Sequence, residues 1–311
     1  MITTVTLNAA IDKTYTVSRF PLGEATRTGK PYVLPGGKGI NAARVIGQLG
    51  GEALATGFTA GMNGRSIEQM LERQGIAHDF AFVEQGGESR LCLTVLDQTT
   101  GQTTELIEPG PVIGKSDLTA LRQKIHQCAA RSQIVVFSGS VPEGVPVSIY
   151  RELIEIAKRA GCLTILDASG EALIHGLAGI PDLIKPNEHE IAALLGKPLT
   201  DVRELGPVMD RLNALGIAYV VVSLGAEGCI AGHEGKLFRV AAPSLQAVNT
   251  VGCGDSFVAG LAVSLARGDS VEETLKRAVA AGAADALTPE AGVVDSGIVN
   301  RMMRELIVIP L

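Results

Sequence analysis

The chain alternates short apolar runs with longer stretches of helical periodicity. Ile134 to Phe137, Leu163 to Leu166, Leu183-Ile184 and Tyr219 to Val222 are such runs. Each stops at polar or glycine residues: Ser138-Gly139-Ser140, Asp167, Lys185-Pro186-Asn187 and Ser223-Leu224-Gly225. Elsewhere apolar residues recur at three- and four-residue spacing, which predicts helices near 146–160, 187–195, 203–215, 254–267 and 271–287. Uninterrupted apolar strands alternating with helices imply an α/β fold, a mostly parallel sheet covered on both faces. Ligands in such folds sit beyond the carboxyl ends of the strands, where these polar residues fall. Met1 to Asp12 reads as a further strand, with Asn8 and Asp12 breaking its apolar run.

Two stretches depart from this rhythm. Residues 13–35 and 88–108 alternate polar with apolar or Thr-rich positions, as in Leu91-Cys92-Leu93-Thr94-Val95-Leu96. They predict antiparallel strands with one exposed face, a small β lid carried by a main domain spanning 1–311.

Composition narrows the class. With 311 residues, 46% hydrophobic and 19% charged, the chain can bury a large core. A net charge of −6, a pI near 5.5 and no run of like charges exclude a nucleic-acid footprint. The cysteines Cys92, Cys128, Cys162, Cys229 and Cys253 form no CxxC pair and read as free thiols of a reducing compartment. Nothing resembles a signal peptide, and no apolar stretch approaches the roughly 20 residues that span a bilayer, so the expected location is the cytoplasm and no membrane partner is expected.

Four segments carry candidate chemistry. In Asn249-Thr250-Val251-Gly252-Cys253-Gly254-Asp255-Ser256, the glycines let backbone N–H groups converge at a helix N-terminus, a site for phosphate. Asp255, in the first helical turn, is a candidate general base, although an ordinary first-turn Asp explains the pattern too. Pro35-Gly36-Gly37-Lys38-Gly39-Ile40-Asn41, ahead of a helix from Ala42 to Gln48, permits close backbone approach, with Lys38 and Asn41 as polar contacts. In Lys185-Pro186-Asn187-Glu188-His189-Glu190, Asn187 and Glu190 suit a capping pair, or oxygen ligands of a hydrated Mg²⁺, or both. Ser223-Leu224-Gly225-Ala226-Glu227-Gly228 is either a hairpin turn or a backbone surface for a flat base. Gly110 to Ser116 imitates a phosphate loop, but its glycines are one residue too close, and it reads as a surface loop. Asp12, Arg27 and Arg90 are dispersed, the two arginines inside the proposed lid strands. His78, His126, His175, His189 and His233 show no ligand spacing.

In this order and spacing the segments resemble the ribokinase-like carbohydrate kinases, and within them the phosphofructokinase B group. The resemblance implies a three-layer α/β/α sandwich with a small β-sheet lid, and Mg²⁺-dependent phosphoryl transfer from ATP to a sugar hydroxyl. It implies Asp255 as catalytic base, with the backbone of Gly252, Cys253 and Gly254 as anion hole. Asn187 and Glu190 would form the Mg-phosphate site, while Lys185, Ser223, Gly225 and Gly228 flank the nucleotide. Asp12, Gly36, Gly37, Asn41 and Ser138 would contact the sugar. Arg27, Lys38 and Arg90 match basic positions of members whose substrate already bears a phosphate. Segments such as Val248 to Gly252 look most like 1-phosphofructokinases, so fructose 1-phosphate is the expected substrate, with tagatose 6-phosphate or fructose 6-phosphate as alternatives. Two departures stand out: Ala9 replaces a usual Pro, and Cys253 a more common Ala or Ser. Lids of this group pair edge to edge, which predicts a homodimer.

Overall fold

The computed structural model describes residues 1–196 and 204–311. Its first apolar run splits: β1 (Ile2–Thr6) ends at a turn over Leu7 and Asn8, and β2 (Ala10–Val17) restarts in another sheet. Asp12 therefore lies inside β2 rather than closing the first strand. Next come β3 (Tyr32–Gly36), α1 (Lys38–Gln48), β4 (Ala53–Ala60), α2 (Gly61–Arg73), β5 (Ala77–Val83), β6 (Arg90–Asp97), β7 (Thr103–Ile107) and α3 (Lys115–Ala129). The middle of the chain forms β8 (Ile134–Ser138), α4 (Ile149–Arg159), β9 (Leu163–Asp167), α5 (Gly170–Leu177), β10 (Leu183–Ile184) and α6 (Glu188–Leu195). After it come α7 (Leu205–Ala214), β11 (Tyr219–Ser223), β12 (Cys229–His233), β13 (Lys236–Val240), α8 (Cys253–Arg267), α9 (Val271–Asp285), α10 (Ser296–Glu305) and β14 (Val308–Pro310). Residue 203, the predicted start of α7, lies outside the described residues.

A 10-stranded sheet runs β14-β13-β12-β11-β10-β9-β8-β1-β4-β5, parallel from β11 to β5 and antiparallel from β11 to β14. Side chains on β8 alternate between the two faces. Val135 and Phe137 join the core under α3 to α7, and Ile134 and Val136 the core under α1, α8, α9 and α10. Both faces are covered, which is why the strands read as unbroken apolar runs. From β1 the chain goes to β4 on one side and β8 on the other, so β1 marks the switch point where a ligand crevice opens. Among the described residues, no helix is long and apolar enough to cross a membrane.

The second sheet has 4 strands in the order β3-β2-β6-β7. β2–β3 and β6–β7 are antiparallel, as expected, but β2 and β6 pair in parallel, with Ala10 opposite Arg90. The reason is topological: β2 follows β1 and β6 follows β5, so both start from the carboxyl ends of parallel strands of the large sheet. Residues 18–31 form no strand, and Arg27, expected on one, is exposed in this connection. The false phosphate loop at 110–114 is irregular, as expected, and Gly114 caps α3.

Candidate active site

The turn before α8 is shaped by Gly252. It caps the helix at φ 93°, and a Cβ there would stand 2.6 Å from the Gly292 nitrogen and 2.9 Å from Asp285 Oδ2. Only glycine meets both conditions. Asn249 braces the approach, accepting from the Val251 N–H at 3.0 Å and donating to the Pro289 carbonyl at 2.9 Å. The turn presents the N–H groups of Gly252 and Gly254 at a helix N-terminus; that of Cys253 makes a long bond to the Thr250 carbonyl at 3.4 Å, and that of Asp255 is spent on the Gly252 carbonyl at 2.9 Å.

Asp255 is 7% exposed, and Asn41 Nδ2 donates to its Oδ2 at 2.9 Å. Burial pushes its carboxyl up to about 7, with the negative Asp167 adding to the rise. Lys38, the Asn41 amide and Lys185 oppose it. A carboxyl that ionises near neutrality, at the mouth of an anion-binding turn, is suited to take a proton from an attacking hydroxyl.

Beside it lies a cluster that sequence reasoning did not single out. Asp167, 1% exposed at the end of β9, has Lys185 Nζ at 3.1 Å and Lys38 Nζ at 3.5 Å, and accepts from Ser138 Oγ at 3.0 Å. Burial alone would raise this carboxyl, but the two ammoniums and the hydroxyl hold it below the usual carboxylate range. Asp167 in turn holds Lys38 firmly protonated. The carboxylate thus fixes two cations, Lys38 and Lys185, that both bear on Asp255. Its signal was a polar residue ending an apolar strand, but nothing linear ties it to two distant lysines. Ser138, expected on the sugar, is fully buried and spends its hydroxyl here; Ser140, two residues on, is the exposed one.

On the substrate side, Gly37 adopts φ 100° and a Cβ there would meet Thr6 Cγ2 at 2.7 Å, so the turn into α1 presses against the end of β1. Half-buried Asp12 faces Gly36, Gly37 and Asn41. Burial raises its carboxyl, opposed by Arg44, Arg90, the Gly37 N–H and Asn41. Arg90 Nε donates to the Asn8 carbonyl at 3.3 Å, and Asn8 Nδ2 to Ser140 Oγ at 3.3 Å. Asp12, Gly36, Gly37, Lys38, Asn41 and Arg90 therefore converge, while Arg27 is exposed in the 18–31 connection.

On the other side of the turn lies a cavity of about 590 Å³ whose walls include Asn187, Ser223, Gly225, Gly228, Cys253 and Gly254. Two candidate segments and the anion turn thus meet in one pocket of nucleotide size. Its remaining walls, among them Pro243 to Leu245 in the irregular segment after β13 and Val279, Ala283 and Ala286 on or just after α9, carried no sequence signal because only the folded chain brings them together. Lys185 is not on this wall; its ammonium lies 3.8 Å from where a Gly254 Cβ would stand. Asn187 and Glu190 form the reciprocal capping box of α6, each side chain accepting from the other's N–H at 2.9 Å. Gly225 and Gly228, at φ 54° and 92°, do make the turn of the β11–β12 hairpin. Among the described residues no three acidic, His or Cys side chains group to cage a metal. Asn187 lines the cavity and Glu190, its capping partner, acts on Lys38; a single carboxylate fits an ion held chiefly by water and phosphate.

A glycine turn at a helix N-terminus, a buried carboxyl beside it and a cavity of nucleotide size fit a small-molecule phosphotransferase. The sequence matches the pfkB family of carbohydrate kinases over residues 5–295, and the chain belongs to that family. It is a kinase with an alcohol group as acceptor. Tagatose-6-phosphate kinases of two Staphylococcus epidermidis strains are 35% identical to it over 312 residues, covering 99% of each chain. Phosphofructokinase-2 from Escherichia coli superposes with a TM-score of 0.91 at 30% identity over 98% of both chains. A possible 1-phosphofructokinase from Thermotoga maritima gives 0.91 at 25% identity, covering 100% of this chain and 99% of its own.

Proposed function

We propose that the chain transfers the γ-phosphoryl group of ATP to the free primary hydroxyl of a ketohexose monophosphate, fructose 1-phosphate in the first instance. The observation that carries this reading is Asp255, buried beneath the Asn41 amide between the sugar-side residues and the nucleotide-sized cavity. Asp255 takes the hydroxyl proton as the oxygen attacks the γ-phosphorus, and the bond from that phosphorus to the β-phosphate oxygen breaks to release ADP. The N–H groups of 252–254 and the Lys38 ammonium receive the charge spreading over the transferred group. Mg²⁺ arriving with ATP would neutralise phosphate charge, with Glu190 and Asn187 as its protein contacts, partly through water. Arg90 and Ser140 support a phosphate-bearing sugar, since both lie beside Asn8 on the substrate side. The small sheet acts as a lid that excludes water from the transfer.

Tagatose 6-phosphate is the second reading, favoured by the name of the 35%-identical relatives. Both sugars put a phosphate at one end and a primary hydroxyl at the other, so one site geometry serves either. A solved E. coli phosphofructokinase-2 is described as a tetrameric inhibited form, which supports self-association here too, through the lid of a homodimer. The test is an ADP-release assay against fructose 1-phosphate, tagatose 6-phosphate, fructose 6-phosphate, ribose and fructose, repeated with Asp255→Asn. A phosphorylated ketohexose is preferred, and the variant loses about 10²-fold or more in kcat. Preference for unphosphorylated sugar overturns the substrate class; near-normal turnover by the variant overturns the base.

A further inference from the structure

Arg44 was no part of the candidate site, yet it is the most heavily engaged cation near it. It lies on α1, one turn after Asn41, and is 6% exposed. One terminal nitrogen donates to Asn41 Oδ1 at 3.1 Å, to the Ala291 carbonyl at 3.1 Å and to the Gly292 carbonyl at 3.4 Å. The other donates to the Pro35 carbonyl, and Nε donates to Gln74 Oε1 at 3.2 Å. Burial pushes its pKa down to about 10, opposed by Asp12, Asp285, Asp255 and Glu290, so it stays charged at neutral pH.

These partners are not scattered. Pro35 precedes the Gly36-Gly37 turn on the sugar side. Ala291 and Gly292 back the anion turn, where a Gly252 Cβ would touch both. The third partner is the amide that meets the base. A guanidinium has only donors to offer, so the Asn41 oxygen must face Arg44 and the Asn41 NH₂ must face Asp255. Without Arg44 the Asn41 oxygen loses its donor and the amide is held only through its NH₂, shared between Asp255 and Asp12, which weakens a bond that favours the ionised base.

We propose that Arg44 is a positioning residue for phosphoryl transfer: its guanidinium orients the Asn41 amide onto Asp255 and ties the turn before α1 to the loop behind Gly252. The inference rests on Asp255 being the base. The other groups facing Asp255 are Lys38 on α1, Asp167 at the end of β9, Lys185 after β10, Cys253 on the same turn and Asp285 at the end of α9. None of them touches the Asn41 oxygen. A cavity of about 740 Å³, lined by Arg44 together with Ala43, Gln48, Gln74 and Val293, opens beside the guanidinium and gives a small cation a route to it.

The experiment compares Arg44→Ala and Arg44→Lys with the parent enzyme by pH profiles of kcat/KM, thermal melting, and activity with added methylguanidinium. Arg44→Ala is expected to lose about 10²-fold in kcat, the cost of a misplaced group near the chemistry. Its acid limb moves to higher pH, and methylguanidinium restores part of its rate while leaving Asp255→Asn inactive. Arg44→Lys keeps a charge but not the planar fork, and also loses rate with the limb displaced. A limb that stays in place, with melting alone lowered and no rescue, makes Arg44 a stability residue and overturns the proposal. Should Arg44→Ala fail to fold, the limb of Arg44→Lys decides in the same way. An active Asp255→Asn overturns the base instead, which separates the two failures.

Discussion

Three residues around the anion turn carry separable chemistry. Asp255 and Asp285 are both buried, and burial pushes both carboxyls up to about 7. Asp285 Oδ1 accepts from the Val293 N–H at 2.8 Å, and its Oδ2 lies 2.9 Å from where a Gly252 Cβ would stand. A carboxyl raised in the folded state binds its proton more tightly there than in the unfolded chain. Its contribution is therefore complete below the unfolded value, near 4, and is lost as the pH rises through about 7. Asp285→Asn keeps the Oδ1 acceptor and cannot ionise. Melting curves should show it gaining on the parent between pH 4 and pH 8; a difference that does not vary with pH would contradict the assignment. Cys253 replaces a smaller residue in the turn, and burial pushes its thiol up to about 12. Its Sγ makes a long contact to the Asn249 carbonyl at 3.9 Å. Cys253→Ala should keep turnover within a few-fold, and the native thiol should alkylate slowly at pH 8. A large loss of turnover would mean that the side chain, and not the backbone, forms the anion hole.

At the scale of elements, Asp255 is held by how α8 packs on α9. A Cβ at Gly260 would meet Ala278 Cα at 2.7 Å and the Arg277 carbonyl at 2.8 Å, so the helices are in backbone contact there. Gly47, inside α1, has open space around its missing Cβ. Gly260→Ala should destabilise by about 1–3 kcal/mol through overpacking and lower turnover by shifting α8. Gly47→Ala should be neutral or stabilise by about 0.5–1 kcal/mol through helix propensity. Denaturant midpoints of the two variants check the contrast, and equal effects would refute it. Of the two readings of the 187–190 motif, the capping pair is the one the structure shows, with Asn187 also on the cavity wall.

At the scale of the whole molecule, the small sheet ends in an unprotected edge. All of β7 is exposed, with Leu106 at 61% and Ile107 at 59%, and on the opposite edge Tyr32 and Val33 are exposed at 43% and 42%. Such edges pair or aggregate unless covered. A second copy of the chain is the expected cover, so Leu106→Lys with Ile107→Glu should convert a dimer to monomer in sedimentation analysis while leaving melting nearly unchanged. A parent chain that sediments as a monomer would exclude lid pairing. The exposed position of Arg27 belongs to this scale too, since no local pattern brings the 18–31 connection onto the substrate side.

The sequence by itself determined the large sheet and the anion turn. Two-sided burial makes strands such as Ile134 to Phe137 unbroken in apolarity, and only glycine accommodates the turn at 252, so both left marks a linear reading could find. Asp255, Asn41, Gly37 and Lys38 were legible for that reason. The tertiary structure decided what depends on distant pieces meeting. The parallel pairing of β2 with β6 follows from both starting at the carboxyl ends of parallel strands of the large sheet. Asp167 gains its role from two lysines far away in the chain, and Arg44 gains its own from carbonyls at 35, 291 and 292. Ser138 and Ser140 mark the boundary, because both were visible as polar residues after β8. Which of them is buried against Asp167 and which faces the substrate side was set by the alternation of the strand within a folded sheet.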